Sequence, residues 1–182
     1  RYLLFIASIF HCSIVIGQPP QNRPLLNASI SAPSFQVIPQ PSGFNQNIKL
    51  NSVQVKEAKA PISDRAIFET QNYLNVKQST QYLDGLARPL QSVVKQVMPG
   101  TNPLDMVSVN VYDDFGREIV KYMPYTSASS GGNFNLNPFS EQQSYLQGIY
   151  PGEQVFYSLN EYEKSPLTTT VKTMAPGNSW AG

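Results

Sequence analysis

From residue 48 onward, short apolar runs alternate with polar residues, and segments containing Asp and Gly separate several of these runs. Val107, Val109 and Val111 are each separated by one residue, a spacing that places their side chains on one face of a β-strand. An apolar run, a short turn and a second apolar run are typical of a β-hairpin. The pattern therefore predicts a mainly β fold, in which antiparallel hairpins form a repeat-like sheet.

Two of the predicted turns share the pattern D-x-x-G/A-R, at Asp84 to Arg88 and, 29 positions later, at Asp113 to Arg117. An Asp at the start of a turn accepts hydrogen bonds from the following backbone N–H groups, and a Gly supplies the positive φ that closes the turn. We therefore expect Asp84 and Gly85 to form a primed turn. The second copy is expected to form a longer loop that ends in a left-handed Gly116.

The arginines that end the two patterns carry planar donor groups. Arg88 and Arg117 can therefore bind a carboxylate or carbonyl groups on a neighbouring hairpin. An alternative is that the two turns are unrelated, since Asp and Gly are common turn residues. One hairpin would not be stable alone, because burying a Val or Ile yields about 1.5–3 kcal/mol and ordering one backbone residue costs about 1–2 kcal/mol. The hairpins are therefore expected to stack on one another.

Other strands are predicted from shorter runs. Residues 48–50 and 53–55 alternate in two phases, which indicates a strand, a kink and a second strand. Residues 62–76 are compatible with a helix or a strand. Residues 155–162 and 167–173 predict a third hairpin, which turns at residues 163–166.

One short helix is predicted after the second hairpin. Asn137 is a candidate cap, Pro138 favours the first helical position, and Gly148 is expected to stop the helix near Gln147. The Ser- and Gly-rich segment at residues 127–133 is expected to form a flexible loop.

The N-terminal part predicts export. Residues 1–17 contain a positive start, an apolar middle and a final Gly17, which are the parts of a secretory signal peptide. A membrane anchor is the alternative, but the apolar stretch is short for a span. We therefore expect cleavage near Gly17 and a location outside the cell or on its outer surface. The chain does not begin with Met, so we expect a fragment of a longer protein.

Residues 18–46 contain six prolines and predict an extended Pro-rich linker. The alternative is an irregular segment laid over the domain, because residues such as Val37 and Ile38 could be buried. Residues 47–182 are expected to form one β-rich domain.

The sequence offers little for catalysis. His11 and Cys12 are its only His and Cys, and cleavage near residue 17 would remove both, leaving no Ser-His-Asp set and no His- or Cys-based metal site. Ser92 and Lys95 match S-x-x-K, but in a strand they would point to opposite faces. We therefore expect no enzyme activity, no cofactor and no metal. The formal charge of +1 also gives no reason to expect a nucleic-acid partner.

The second turn resembles the YD-repeat (RHS-type) proteins. Residues Tyr112 to Arg117 match the Y-D-x-x-G-R pattern of these repeats. Residues 81–125 are similar to an uncharacterised domain that precedes the repeats in large secreted proteins of Gram-negative bacteria, and the likeness extends over roughly residues 65–182. Ala87 stands where that family usually has Gly, so positive φ is not expected there.

The resemblance implies a non-catalytic structural domain that starts or caps a shell of β-hairpins, with downstream repeats of the same chain as its partner. In relatives such shells can enclose a toxin. The structural residues that we single out belong to the two turns: Asp84, Gly85, Arg88, Tyr112, Asp113, Gly116 and Arg117. The alternative function is a cell-surface module that binds glycans or proteins through exposed tyrosines. The candidates for that surface are Tyr122, Tyr125, Tyr145 and Tyr150.

Overall fold

A computed structural model describes residues 37–98, 100–129, 131–165 and 167–181. The predicted signal peptide (residues 1–17) and residues 18–36 of the predicted linker lie outside this range. The described residues contain eight strands and two helices, so the prediction of a mainly β fold built from antiparallel hairpins is confirmed. The strands are β1 (Asn51–Ala58), β2 (Val76–Leu83), β3 (Pro89–Met98), β4 (Leu104–Val111), β5 (Val120–Tyr122), β6 (Tyr125–Thr126), β7 (Tyr157–Tyr162) and β8 (Thr170–Met174). The helices are α1 (Arg65–Thr70) and α2 (Pro138–Ile149).

Seven strands follow one another in the sheet in the order β1-β2-β3-β4-β5-β7-β8, and β6 pairs with β4 beside β5. All of these neighbours are antiparallel. The connections β2–β3, β4–β5 and β7–β8 therefore reverse the chain at the same end of the sheet. We call them turn 1 (residues 84–88), turn 2 (residues 113–117) and turn 3 (residues 163–169).

The core lies between one face of the sheet and α2. Val107 and Val109 of β4 are buried, and Val111 is partly buried against the same core cluster. The prediction that these three valines share one face of a strand is therefore confirmed. From α2, Phe139 and Leu146 are buried, and Phe139 belongs to the same core cluster as the valines of β4. Each such side chain contributes about 1.5–3 kcal/mol to folding, so the strands and the helix stabilise one another.

Helix α2 begins as the sequence predicts, with Asn137 at the cap position and Pro138 in the first turn. The predicted end is wrong, because the helix continues through Gly148 to Ile149. Gly148 is exposed, and Gly inside a helix costs only about 1 kcal/mol relative to Ala. Pro151 follows directly after the C-cap residue, where proline cannot continue a helix.

The N-terminal strand differs from the prediction, and the segment after it forms a helix. Residues 48–50 are not a strand, and β1 is a single strand whose eight residues all pair with β2. Residues 62–76, for which the sequence leaves a helix and a strand open, contain the short helix α1. The Oδ1 atom of Asp64 accepts a hydrogen bond of 2.7 Å from the N–H of Ala66, which caps α1.

Residues 37–46, the described part of the predicted linker, contact the domain. The N–H of Ile38 donates to the hydroxyl of Tyr157 at 2.8 Å, and the N–H of Phe44 donates to the carbonyl of Leu136 at 2.7 Å. The ring of Phe44 lies 5.0 Å from that of Phe134. This part of the chain is therefore an irregular segment packed on the domain.

The loop after β6 was predicted to be flexible, but Asp105 of β4 binds its described residues. Asp105 is fully buried and exchanges backbone hydrogen bonds with the segment, from Ser127 N–H to its carbonyl and from its own N–H to Ser129. Its Oδ2 atom accepts the N–H of Gly132 at 2.6 Å. The composition of the loop could not reveal these bonds, because Asp105 lies far from it in the sequence, 27 residues before Gly132.

Neither helix within the described ranges is long and apolar enough to cross a membrane.

Candidate functional site

Turns 1 and 2 are each organised by the carboxylate of their Asp. The Oδ1 atom of Asp84 accepts hydrogen bonds of 2.8 Å from the N–H groups of Leu86 and Arg88. The Oδ1 atom of Asp113 accepts the corresponding bonds, at 3.0 Å from Phe115 and 2.7 Å from Arg117. One carboxylate oxygen therefore fixes two backbone groups of each turn.

The second carboxylate oxygen binds the arginine of the same turn. The Nε atom of Arg88 donates to Oδ2 of Asp84, and the Nε atom of Arg117 donates to Oδ2 of Asp113, both at 2.8 Å. The N–H of each Asp also donates to the carbonyl of its arginine at 2.9 Å. The two turns thus share one hydrogen-bond pattern. The prediction that these arginines bind a carboxylate on a neighbouring hairpin is wrong, because the carboxylate belongs to their own turn.

The position of positive φ also differs from the prediction in turn 1. Ala87 has a φ of 60° and Gly116 a φ of 76°, whereas Gly85 is not among the residues with positive φ. The predicted primed turn at Asp84 and Gly85, and the expectation that Ala87 lacks positive φ, are therefore wrong. The hydrogen bonds that the Asp84 carboxylate accepts from Leu86 and Arg88 hold the turn in a shape in which Ala87 is left-handed. This backbone conformation costs an L-residue about 1–2 kcal/mol.

The hydrogen bonds within the turns lower the pKa of both carboxyl groups. For Asp84 the backbone N–H of Arg88 is the largest cause, and it outweighs the opposite effect of burial. For Asp113 burial is the largest single effect and acts upward, but the backbone, side-chain and charge interactions with Arg117 together outweigh it, so the pKa is lowered. Both carboxyl groups are therefore held as carboxylates in the folded protein.

A second set of contacts joins each turn to the next. The guanidinium of Arg88 lies 4.8 Å from the ring centroid of Tyr112, and the Tyr112 hydroxyl donates to the carbonyl of Pro89 at 2.9 Å. At the next pair of turns, the guanidinium of Arg117 lies 5.0 Å from the ring centroid of Tyr162. The Tyr162 hydroxyl donates to the carbonyl of Glu118, the residue after Arg117, at 3.2 Å. We call these four side chains the arginine–tyrosine ladder: Arg88, Tyr112, Arg117 and Tyr162.

Tyr162 and turn 3 were missed as members of this repeat. The N–H of Glu163 donates to the carbonyl of Thr169 at 2.9 Å, as each Asp does in turns 1 and 2. Thr168 has a φ of 51° and occupies the place of Ala87 and Gly116. The signal in the sequence is the aromatic–acid pair of Tyr162 and Glu163, but the loop is two residues longer and Thr169 replaces the arginine.

The predicted exposed tyrosine face is not formed. Tyr122 and Tyr125 are buried, Tyr145 is half-buried, and Tyr150 is exposed. Burial raises the pKa of Tyr122 to about 12 and also raises the pKa of Tyr125. These two hydroxyls therefore stay protonated, and their rings belong to the core.

The candidates for catalysis are not brought together. Ser92 and Lys95 both lie in β3, where residues three apart point to opposite faces. In the part of the chain that the structure describes, no group of three or more His, Cys, Asp or Glu residues is arranged to hold a metal ion.

Gly116→Val tests the left-handed position of turn 2. A β-branched residue at this φ is strained, and its Cβ would lie 3.3 Å from Nη1 of Arg88. We expect the free energy of unfolding to fall by about 1–3 kcal/mol. The matched control is Gly85→Val, where a Cβ meets no atom within 4 Å. Urea denaturation measures both variants, and an unchanged stability of Gly116→Val would contradict the assignment.

Asp113→Asn tests the lowered pKa. A carboxyl whose pKa is lower in the folded than in the unfolded state stabilises the protein above the ordinary Asp pKa of about 3.9, and the stabilisation is lost as the pH falls through the folded value. The variant should therefore be less stable than the wild type at pH 7, and the difference should narrow toward pH 3. Urea denaturation at several pH values measures this, with Asp114→Asn, at an exposed position, as control. A difference that does not change with pH would refute the role of Asp113.

A double-mutant cycle tests the ladder. Combining Arg88→Met with Tyr112→Leu should give a coupling energy of about 0.5–1 kcal/mol, the usual value for a partly exposed cation–π contact. Arg88→Met combined with Tyr162→Leu is the control, and its coupling should be close to zero because the two residues belong to non-adjacent turns. Equal couplings in the two cycles would show that the contacts do not link consecutive turns.

The model of a family described as a domain of unknown function, DUF6443, matches residues 54–182, from within β1 onward. No curated protein and no solved structure matches the chain. The family match covers well over half of the 182 residues, and it includes all three turns and the ladder. The chain therefore belongs to the DUF6443 family, an uncharacterised domain.

Proposed function

We propose that this domain is a non-catalytic structural module that starts or caps a sheet of YD-repeat (RHS-type) hairpins in a secreted protein. The ladder is the observation that carries the proposal. It joins turn 1 to turn 2 and turn 2 to turn 3 by the same pair of contacts, as expected for a protein in which each unit completes its neighbour. The sequence of turn 2 adds support, because it matches the Y-D-x-x-G-R repeat pattern in full.

The functional groups of the turns are already used for structure. Each carboxylate accepts two backbone N–H groups and the arginine of its own turn, so little acceptor capacity is left for acid–base work. We therefore propose a structural role for the residues of the turns, without a bound cofactor or metal. Asp84, Arg88, Asp113 and Arg117 fix the turns, and Tyr112 connects them.

The sheet has an edge to which further hairpins can add. Strand β8 has β7 as its only neighbour among the described residues, and four of its five residues are exposed, including Val171 at 69 %. An unpaired strand presents backbone N–H and C=O groups that another strand can satisfy. We propose that downstream repeats of the same chain cover this edge, as part of a hairpin shell on or outside the cell surface. A shell of this kind can serve a toxin or a surface interaction.

The experiment is to read the coding sequence beyond Gly182 and to express the longer chain. We expect Y-D-x-x-G-R to recur at steps of roughly twenty residues. Amide hydrogen exchange should then show that the N–H groups of β8 are better protected in the longer chain than in residues 1–182, because β8 has gained a neighbour. The N–H groups of β3, a strand with neighbours on both sides, are the control and should not change. A downstream sequence without the repeat, or an unchanged β8, would rule out the proposal.

A further inference from the structure

Turn 3 is two residues longer than turns 1 and 2, and a cleft lies beside it. Between turns 1 and 2 the side chain of Arg88 reaches the neighbouring turn, since its Nη1 atom lies 3.3 Å from the position of a Cβ on Gly116. Beside turn 3 lies a cleft of about 560 Å³, which is lined by Phe115, Arg117 and Tyr162 and by residues 163–165 and 168. A cleft at the one place where the repeat changes length is a candidate binding site.

The floor of the cleft is aromatic and held in place. Phe115 and Tyr162 each lie with their ring centroid 5.0 Å from the guanidinium of Arg117, so the cation is stacked against both rings. Arg117 is fixed by its 2.8 Å salt bridge to Asp113. Phe115 is 82 % exposed, so its ring is available to a ligand.

The rim of the cleft is polar. Glu163 supplies a carboxylate, Lys164 an ammonium group, and Ser165 and Thr168 supply hydroxyls, so both donors and acceptors are present. The charges balance, because Lys164 is adjacent to Glu163 and Arg117 is paired with a carboxylate of its own turn. A charged ligand therefore gains little from this site, and a neutral ligand with many hydroxyl groups fits it.

We propose that this cleft binds a neutral sugar ring. The C–H face of a pyranose is flat and apolar and stacks on an exposed aromatic ring, whereas its hydroxyls donate and accept hydrogen bonds at the edges. Phe115 supplies the stacking face, and Glu163, Lys164 and Ser165 supply the polar partners. This assignment places a sugar site on the turn end of the sheet and goes beyond the structural role of the domain.

Turn 1 provides the matched control for the floor. Leu86 stands at the same position of turn 1 as Phe115 in turn 2, two residues after the Asp, and is 75 % exposed. It is aliphatic, and it does not line the cleft. Truncation of Leu86 therefore removes a similar exposed apolar side chain from an equivalent turn without changing the proposed site.

The test is a titration of the isotope-labelled 182-residue chain, followed by NMR, with methyl glucoside, methyl galactoside, methyl mannoside, diacetylchitobiose and glucuronate. We expect at least one neutral sugar to shift the signals of Phe115, Tyr162 and Lys164 at millimolar concentration. Raising the salt concentration should leave the affinity unchanged, because the charges of the site balance. Phe115→Ala should weaken binding about tenfold or more, a loss of about 1.4 kcal/mol, whereas Leu86→Ala should bind like the wild type. Both variants should keep the melting temperature of the wild type.

Three results would overturn the proposal. The first is that no neutral sugar shifts the cleft signals. The second is that glucuronate binds and the neutral sugars do not, which would make the site one for anions. The third is that Phe115→Ala and Leu86→Ala bind equally well, which would place the sugar elsewhere. The titration needs only residues 1–182, so its result is independent of whether repeats follow downstream.

Discussion

The structure depends on the capping of a turn by the carboxylate of its first residue. In turns 1 and 2 the carboxylate binds two backbone N–H groups and the arginine four residues later. Partly exposed ion pairs of this kind contribute little energy by themselves. Their effect is geometric, because a bound guanidinium has a fixed direction, and here it points at the tyrosine of the next turn.

Local capping thereby becomes order across the sheet. Arg88 and Tyr112 join the first two hairpins at their turns, while the valines of β4 and the side chains of α2 bury the apolar surface beneath. The core supplies most of the stabilisation, since its free energy scales with apolar area. The ladder joins consecutive hairpins at the turn end of the sheet. A unit that carries both parts can be repeated, which is why we infer a structural role.

Turn 3 shows what a change in the repeat can produce. It keeps the tyrosine and the closing backbone bond, but it replaces the arginine and adds two residues. Beside it lies a cleft whose floor is the last cation of the ladder and the rings on either side of it. The proposed sugar site would therefore use contacts that also order the sheet, so the proposed structural and binding roles are compatible in one domain.

The sequence by itself determined the elements that depend on near neighbours. The alternation of Val107 and Val109, the start of α2 at Pro138 and the capped turn at Asp113 were all predicted, because strand faces and turn caps involve residues at most a few positions apart. Only the tertiary structure decided the burial of Tyr125, the loop bound to Asp105 and the tyrosine that stacks on each arginine. These features join residues that are distant in sequence, and packing selects among partners that local patterns leave equivalent. The left-handed Ala87 is a local feature that the pattern still did not reveal, because positive φ is unfavourable for Ala by itself and the hydrogen bonds to Asp84 within the turn offset that cost.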